Sequence, residues 1–227
     1  MKPLFSILIA LLLGAMQSNA GTIVGTVRAQ GKAGADQDEG GGNYESRKFK
    51  FAERVDYSDL HEFVVYIDQP LAEKPVPPDG PVQVVVQKDA SFTPHVLPLV
   101  VGTTVAWPNH DEIYHNAFSY SEAKPFDLGL YSSKDEPKRI TFDKPGRIDV
   151  FCSIHKDMHC IILVLENPYY ASTDAQGRFK IANVPAGTYK LRAWHERLPS
   201  QVKEITVPTN GEVPANFTLG ITGLPQY

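Results

Sequence analysis

The sequence predicts an all-β protein folded as two sandwiches. Short apolar runs recur along the chain with proline and glycine turns between them. No stretch carries a convincing helical period. Strands without helices bury their apolar faces against one another, in a sandwich or a barrel. Between Gln69 and Pro81 stand Pro70, Pro75, Pro77, Pro78 and Pro81. Each proline removes a backbone donor and fixes φ, so residues 70–81 read as a linker and a domain boundary.

The first predicted strand runs from Gly21 to Arg28, with Val24 and Val27 apolar. Gly31 to Ser46 is rich in glycine and acidic residues, including Gly40-Gly41-Gly42, and reads as a loop. Arg47 to Glu62 carries mixed charge and reads as a solvated connection. Phe63 to Ile67 is a buried-strand candidate. After the linker, strands are expected at Val82–Val86, Leu97–Val101, Thr104–Trp107, Ile140–Phe142, Arg147–Phe151 and Ile161–Leu165. Lys144-Pro145-Gly146 supplies a turn, and Glu166-Asn167-Pro168 marks a second boundary. Beyond it, turns at Thr173–Phe179 and Asn183–Tyr189 alternate with strands at Lys190–Trp194, Val202–Val207 and Ala215–Leu219.

The formal net charge is -4 and no Lys/Arg-rich run occurs. That argues against nucleic acid and against a polybasic membrane patch. Residues 1–20 read as a secretory signal: Lys2 opens it, Leu4 to Met16 is its apolar core, and Ser18-Asn19-Ala20 offers small residues at the cleavage site. The expected mature chain begins near Gly21, is exported to a periplasm-like compartment, and has no integral membrane span once the signal is removed. An uncleaved anchor is the alternative.

The chemistry concentrates in Phe151-Cys152-Ser153-Ile154-His155-Lys156-Asp157-Met158-His159-Cys160. A thiolate, an imidazole and a thioether at Cys-x2-His-x2-Met spacing suit copper rather than magnesium or calcium. A blue-copper site needs a second imidazole, and His115 in Asn109-His110-Asp111-Glu112-Ile113-Tyr114-His115-Asn116 is the best candidate. Zinc would accept Cys and His too, but gains little from Met. A disulfide between Cys152 and Cys160 is also open in an oxidising compartment; it leaves His155 and Met158 unexplained. Asn116 and Ser153 follow the first His and the Cys, and a hydrogen bond between them would tie the two ligand loops together. Cys160 reads as a small buried hydrophobe on a strand. His61, His95, His110 and His195 show no partner pattern and read as surface or capping residues.

Residues 82–166 resemble the cupredoxins, and the Cys-x2-His-x2-Met loop is most similar to that of the amicyanins. Phe92, Pro94, Gly102, Val105, Trp107, Asn109, His115-Asn116, Phe142, Pro145-Gly146, Cys152, His155 and Met158 carry the likeness. The resemblance implies a Greek-key sandwich with one type 1 copper, held by His115, Cys152, His155 and Met158. It departs from the family pattern where Lys156 follows the second His and His159-Cys160 follow the Met. His159 therefore stands as a possible competitor for the axial position.

Thr173 to Trp194 resembles the carboxypeptidase regulatory-like, transthyretin-like sandwich. Thr173-Asp174-x-x-Gly177-x-Phe179 and Val184-Pro185-x-Gly187-x-Tyr189-x-Leu191 carry that likeness. Such a domain usually opens on a Gly-x-Val-x-Gly-x-Val strand, which here lies at Gly21–Val27. The expectation is a split sandwich from residues 21–69 and 169–220, with the cupredoxin of 82–166 inserted; the alternative is an N-terminal arm plus a separate C-terminal domain. Arrangements of this kind recur in methylamine-utilisation proteins. The expected function is one-electron carriage between periplasmic redox proteins, without enzymatic activity. Copper handling, or docking by a non-redox sandwich, is the alternative.

Overall fold

The computed structural model describes residues 19–31, 57, 60–71 and 82–220. The expected signal before residue 19, most of the 31–62 connection and linker residues 72–81 lie outside the described residues. Among the described residues no helix is long and apolar enough to cross a membrane. The strands are β1 (Ala20–Ala29), β2 (Val64–Ile67), β3 (Gln83–Val84), β4 (Val86–Lys88), β5 (Ser91–Thr93), β6 (Val96–Val100), β7 (Thr104–Trp107), β8 (Phe118–Ser119) and β9 (Phe126–Asp127). They continue as β10 (Lys138–Thr141), β11 (Gly146–Phe151), β12 (His159–Leu165), β13 (Tyr170–Ser172), β14 (Arg178–Pro185), β15 (Gly187–His195), β16 (Leu198–Val207), β17 (Glu212–Pro214) and β18 (Phe217–Leu219). The fold is all-β, as the turn-punctuated apolar runs require.

Two sheets, β10-β7-β3 and β6-β12-β11-β8-β9, enclose one core. Trp107, Phe142, Ile148, Val150, Ile162, Cys152 and Met158 belong to it. The sheets β14-β1-β17, with β18 also on β1, and β13-β2-β15-β16 enclose another. That second core contains Ile23, Val27, Ile67, Ile181, Leu191, Val207 and Leu219. Its β1 and β2 come from before residue 70, and every other strand in its sheets comes from after residue 169. β1 runs antiparallel to β14 and parallel to β17 and β18. β2 lies between β13 and β15, antiparallel to both.

β12 explains its own composition. Every residue from Cys160 to Leu165 is buried, because both faces of the strand are covered. Cys160, Ile162 and Val164 fill the first core. Ile161, Leu163 and Leu165 point the other way and pack with Val64 and Val96. Tyr66, Tyr170 and Trp194 flank that patch. A strand buried on both faces reads as a continuous apolar run rather than an alternation. Asn167 closes the junction behind β12: its Nδ2 donates to the Ile67 and Gln69 carbonyls at 2.8 and 3.1 Å. The chain thus leaves and re-enters the second sandwich at adjacent points.

The single strand expected at Val82–Val86 is two. Gln83 and Val84 pair with β7, whereas Val86 pairs with Thr93 of β5. Val85 is the hinge: its amide reaches the Ala106 carbonyl at 3.0 Å and its side chain is fully buried. A change of pairing partner with no glycine or proline at the break leaves no trace in the apolar pattern.

Candidate metal centre

β11 and β12 form a hairpin whose last ladder pair is Phe151 with His159. The connection holds Cys152 through Met158. It is closed from within: the Cys152 amide donates to the Met158 carbonyl at 3.2 Å, and the Met158 amide to the His155 carbonyl at 3.0 Å. The tight loop turns Cys152 and Met158 into the core, where both are buried. His155 is half-buried at the rim.

His115 arrives from the other side and is fully buried. Its backbone exchanges two hydrogen bonds with Tyr131, at 3.1 and 2.9 Å. Asn109 Nδ2 donates to the Ile113 and Tyr131 carbonyls, and its Oδ1 accepts from the Asp111 amide at 2.8 Å. Gln87 donates to the Tyr131 hydroxyl and to the Trp107 carbonyl. The Tyr131 hydroxyl in turn donates to the Trp107 carbonyl at 2.8 Å. Burial, slightly offset by the Gln87 bond and reinforced by Cys152, pushes the Tyr131 phenol up to about 12, so it remains a donor.

Asp111 orients the ring. Its Oδ2 lies 2.8 Å from His115 Nε2. Oδ2 also accepts from the Ala90 amide at 3.0 Å, and Oδ1 accepts from the Asp89 amide at 2.8 Å. Burial opposes ionisation of this carboxyl, but the Ala90, His115 and Asp89 hydrogen bonds outweigh it and hold Asp111 below the usual carboxylate range. An ionised Asp111 accepts the Nε2 proton, which leaves a lone pair on Nδ1; a carboxylate behind a ligating imidazole fixes its tautomer in this way.

The two imidazoles and the thiol converge. His115 Nδ1 lies 3.1 Å from His155 Nδ1, and Cys152 Sγ lies 4.0 and 3.9 Å from the two nitrogens. The donor atoms of His115, Cys152 and His155 form one cluster able to hold a metal ion. Bonds of about 2.0–2.3 Å to nitrogen and sulfur space donors around one ion by about 3–4 Å, which is the spacing found. Met158 shares the core cluster of Cys152. His159, by contrast, turns away: its Nε2 is 3.0 Å from Asp149 Oδ1, and its ring stacks on Phe151 at 4.8 Å.

This chain is 31% identical over 105 residues to amicyanin of Paracoccus versutus, an alignment spanning 45% of the chain and 78% of that protein. The chain belongs to the amicyanin family of cupredoxins. Residues 162–220 match the carboxypeptidase regulatory-like domain, so the amicyanin-like unit is combined with a second β-sandwich module. Among solved structures, a proline-to-alanine variant of amicyanin in its oxidized state is 22% identical over 37% of this chain and 82% of that one, with a TM-score of 0.35. The Cu-containing nitrite reductase of Thermus scotoductus is 34% identical over 43% of this chain, with a TM-score of 0.37. The match covers only 25% of that reductase.

Asn116 joins the two loops of the amicyanin-like site. Its Oδ1 accepts from the Ser153 amide at 2.8 Å and the Ser153 hydroxyl at 2.9 Å, and its Nδ2 reaches Asp127 at 3.3 Å. Asn116→Ala is expected to lower unfolding stability by about 1–2 kcal/mol, the scale of a hydrogen bond removed from a partly buried pair. Urea denaturation measures it. Asn116→Asp keeps the oxygen that accepts from Ser153 but replaces the Nδ2 donor with an oxygen facing the Asp127 carboxylate, so it should not recover the loss.

Residue spacing alone did not reveal Asp111, Gln87, Asn109 and Tyr131. Asp111, four residues before His115, left a local signal, and Asn109 is among the residues that carry the cupredoxin likeness. His195 departs from its expected surface place. It is buried, packs on Phe63 at 5.0 Å, and accepts the Arg197 amide on Nδ1 at 3.1 Å. Burial, only partly countered by Glu196 and other neighbours, lowers its pKa. His95 is likewise partnered, by His159 and Glu196.

Proposed function

We propose that the chain is a periplasmic one-electron carrier with a single type 1 copper held by His115, Cys152, His155 and Met158. The convergence of Cys152 Sγ with the Nδ1 atoms of His115 and His155 carries the reading. One thiolate, two imidazoles and a thioether match the blue-copper donor set. Bound there, copper would supply Cu(II)/Cu(I) chemistry, one electron at a time. The protein's part is to hold the donors still. Asp111 sets the His115 tautomer, Asn116 locks the two loops together, and the surrounding core excludes water.

His155 supplies the exit. Ile113, Tyr114, Leu130 and Ile154 are each half or more exposed, and each lies within two residues of His115, His155 or Tyr131 in sequence. They form an apolar rim on which a redox partner would close. Delivery of copper as cargo fits less well. Of three methionines, Met1 and Met16 fall in the expected signal, leaving Met158 alone. The reading assigns no enzymatic step to this chain. It takes residues 1–20 as the export signal, and 21–69 with 169–220 as one sandwich that displays the copper unit of 82–166.

The test is a visible and EPR spectrum of the exported protein after one equivalent of Cu(II). An intense thiolate-to-copper charge-transfer band that ascorbate bleaches and ferricyanide restores is expected. A colourless protein, or a band that reductant leaves unchanged, would overturn the electron-carrier reading.

A further inference from the structure

We propose that His95, His159 and Glu196 form a second metal site, for a borderline divalent ion of the zinc class, at the seam between the two sandwiches. One donor atom from each lies within 4.8 Å of the others. His95 precedes β6 and His159 opens β12, both in the amicyanin-like unit. Glu196 sits in the turn between β15 and β16 of the other sandwich. All three are partly exposed, with side chains 34%, 24% and 21% accessible for His95, His159 and Glu196, so an ion can enter from solvent.

The hydrogen bonds around the cluster prepare it for a cation. His159 Nε2 faces Asp149 Oδ1 at 3.0 Å. Asp149 is also bound by Arg147 at 2.7–3.2 Å. A carboxylate that accepts the Nε2 proton leaves the His159 Nδ1 lone pair free, the same device that Asp111 applies to His115. His95 Nδ1 lies 3.2 Å from the His159 carbonyl, and its Nε2 lies 2.9 Å from Glu196 Oε1. A neutral imidazole has one N–H to donate. With Nδ1–H serving the carbonyl, Nε2 needs a second ring proton to meet the carboxylate, or a metal cation in that proton's place. Metal bonds of about 2.0–2.2 Å to His nitrogen and Glu oxygen accommodate a nitrogen–oxygen span of this size. Two imidazoles and one carboxylate leave a fourth, water-filled position, a set that suits zinc and its neighbours. The ion would staple the two sandwiches, since only Glu196 comes from the second.

The test is isothermal titration of Zn(II) into the full-length exported chain carrying Cys152→Ala, which removes the thiolate of the first site. One zinc per chain is expected, weakened at least tenfold when His95→Gln or Glu196→Gln is added and unchanged by His110→Gln. With Cys152 intact, zinc should raise the thermal unfolding midpoint, and His95→Gln or Glu196→Gln should reduce that rise. Zinc binding and thermal response that neither substitution alters would overturn the proposal and leave the cluster a histidine–carboxylate pair only.

Discussion

Cys152→Ala is expected to abolish the intense visible band of the copper-loaded protein completely, leaving only a weak spectrum if Cu(II) stays on the two imidazoles. The band requires a thiolate bound to Cu(II), and Cys152 is the thiol whose sulfur faces His115 and His155. Cys160 cannot substitute for it. Both cysteines are free, but Cys160 lies within the β11–β12 ladder opposite Val150 and is fully buried in the core. Burial, aided by the Asp149 charge, pushes its thiol far up, so it stays protonated where metal binding needs a thiolate. Cys160→Ala should therefore keep the band. Persistence of the band in Cys152→Ala, or its loss in Cys160→Ala, would reassign the sulfur ligand.

The contrast between those cysteines shows what a sequence can disclose about such a site. Cys152, His155 and Met158 lie within seven positions, so one hairpin connection gathers them and their spacing is readable. His115 is 37 residues before Cys152 and was found only because its donor type completed the set. What holds His115 in place was only partly marked. Asp111 and Asn109 act partly through local bonds within 109–115, but their bonds to Ala90 and Tyr131, and those of Gln87 and Tyr131, join segments far apart in sequence, and ordinary polar side chains carry no mark of that. The fold shows the same division. Strands paired along their whole length, such as β7 with β10 and β11 with β12, were legible from apolar pattern and turns. The two-residue strands β8 and β9, and the break at Val85, were not, because partner exchange depends on the opposing strand. The partners of His95 and His195 are likewise distant in sequence: Glu196 of the other sandwich for His95, and Phe63 beside the neighbouring strand β2 for His195.

Gly25→Ala is expected to destabilise the second sandwich severely, by about 3 kcal/mol, the upper range for a side chain forced into filled space. A methyl group there would lie 1.8 Å from the Ala215 carbonyl oxygen, 2.6 Å from its carbon and 2.9 Å from Phe179 Cε1. Backbone, unlike the end of a flexible side chain, cannot swing aside. Both flanks are also pinned: the Ala215 amide donates to the Val24 carbonyl at 2.8 Å, and the Thr26 amide to Asn216 Oδ1 at 2.9 Å. Relief requires the segment linking β17 to β18 to lift off β1, which removes the parallel ladders that tie residues 20–29 to 212–219. In a chain of this size the thermal midpoint should fall by about 6–12 °C. Gly211→Ala makes the matched comparison: its φ is +88° but nothing lies within 4 Å, so only backbone strain of about 1 kcal/mol opposes it. The copper band should survive Gly25→Ala at temperatures where the chain remains folded, because among the described residues β1 pairs only with β14, β17 and β18. A midpoint unmoved by Gly25→Ala would mean that the first strand contributes no stability to the second sandwich. The division into one split sandwich with a copper unit set into it would then fail, and an N-terminal arm beside an independent C-terminal module would replace it.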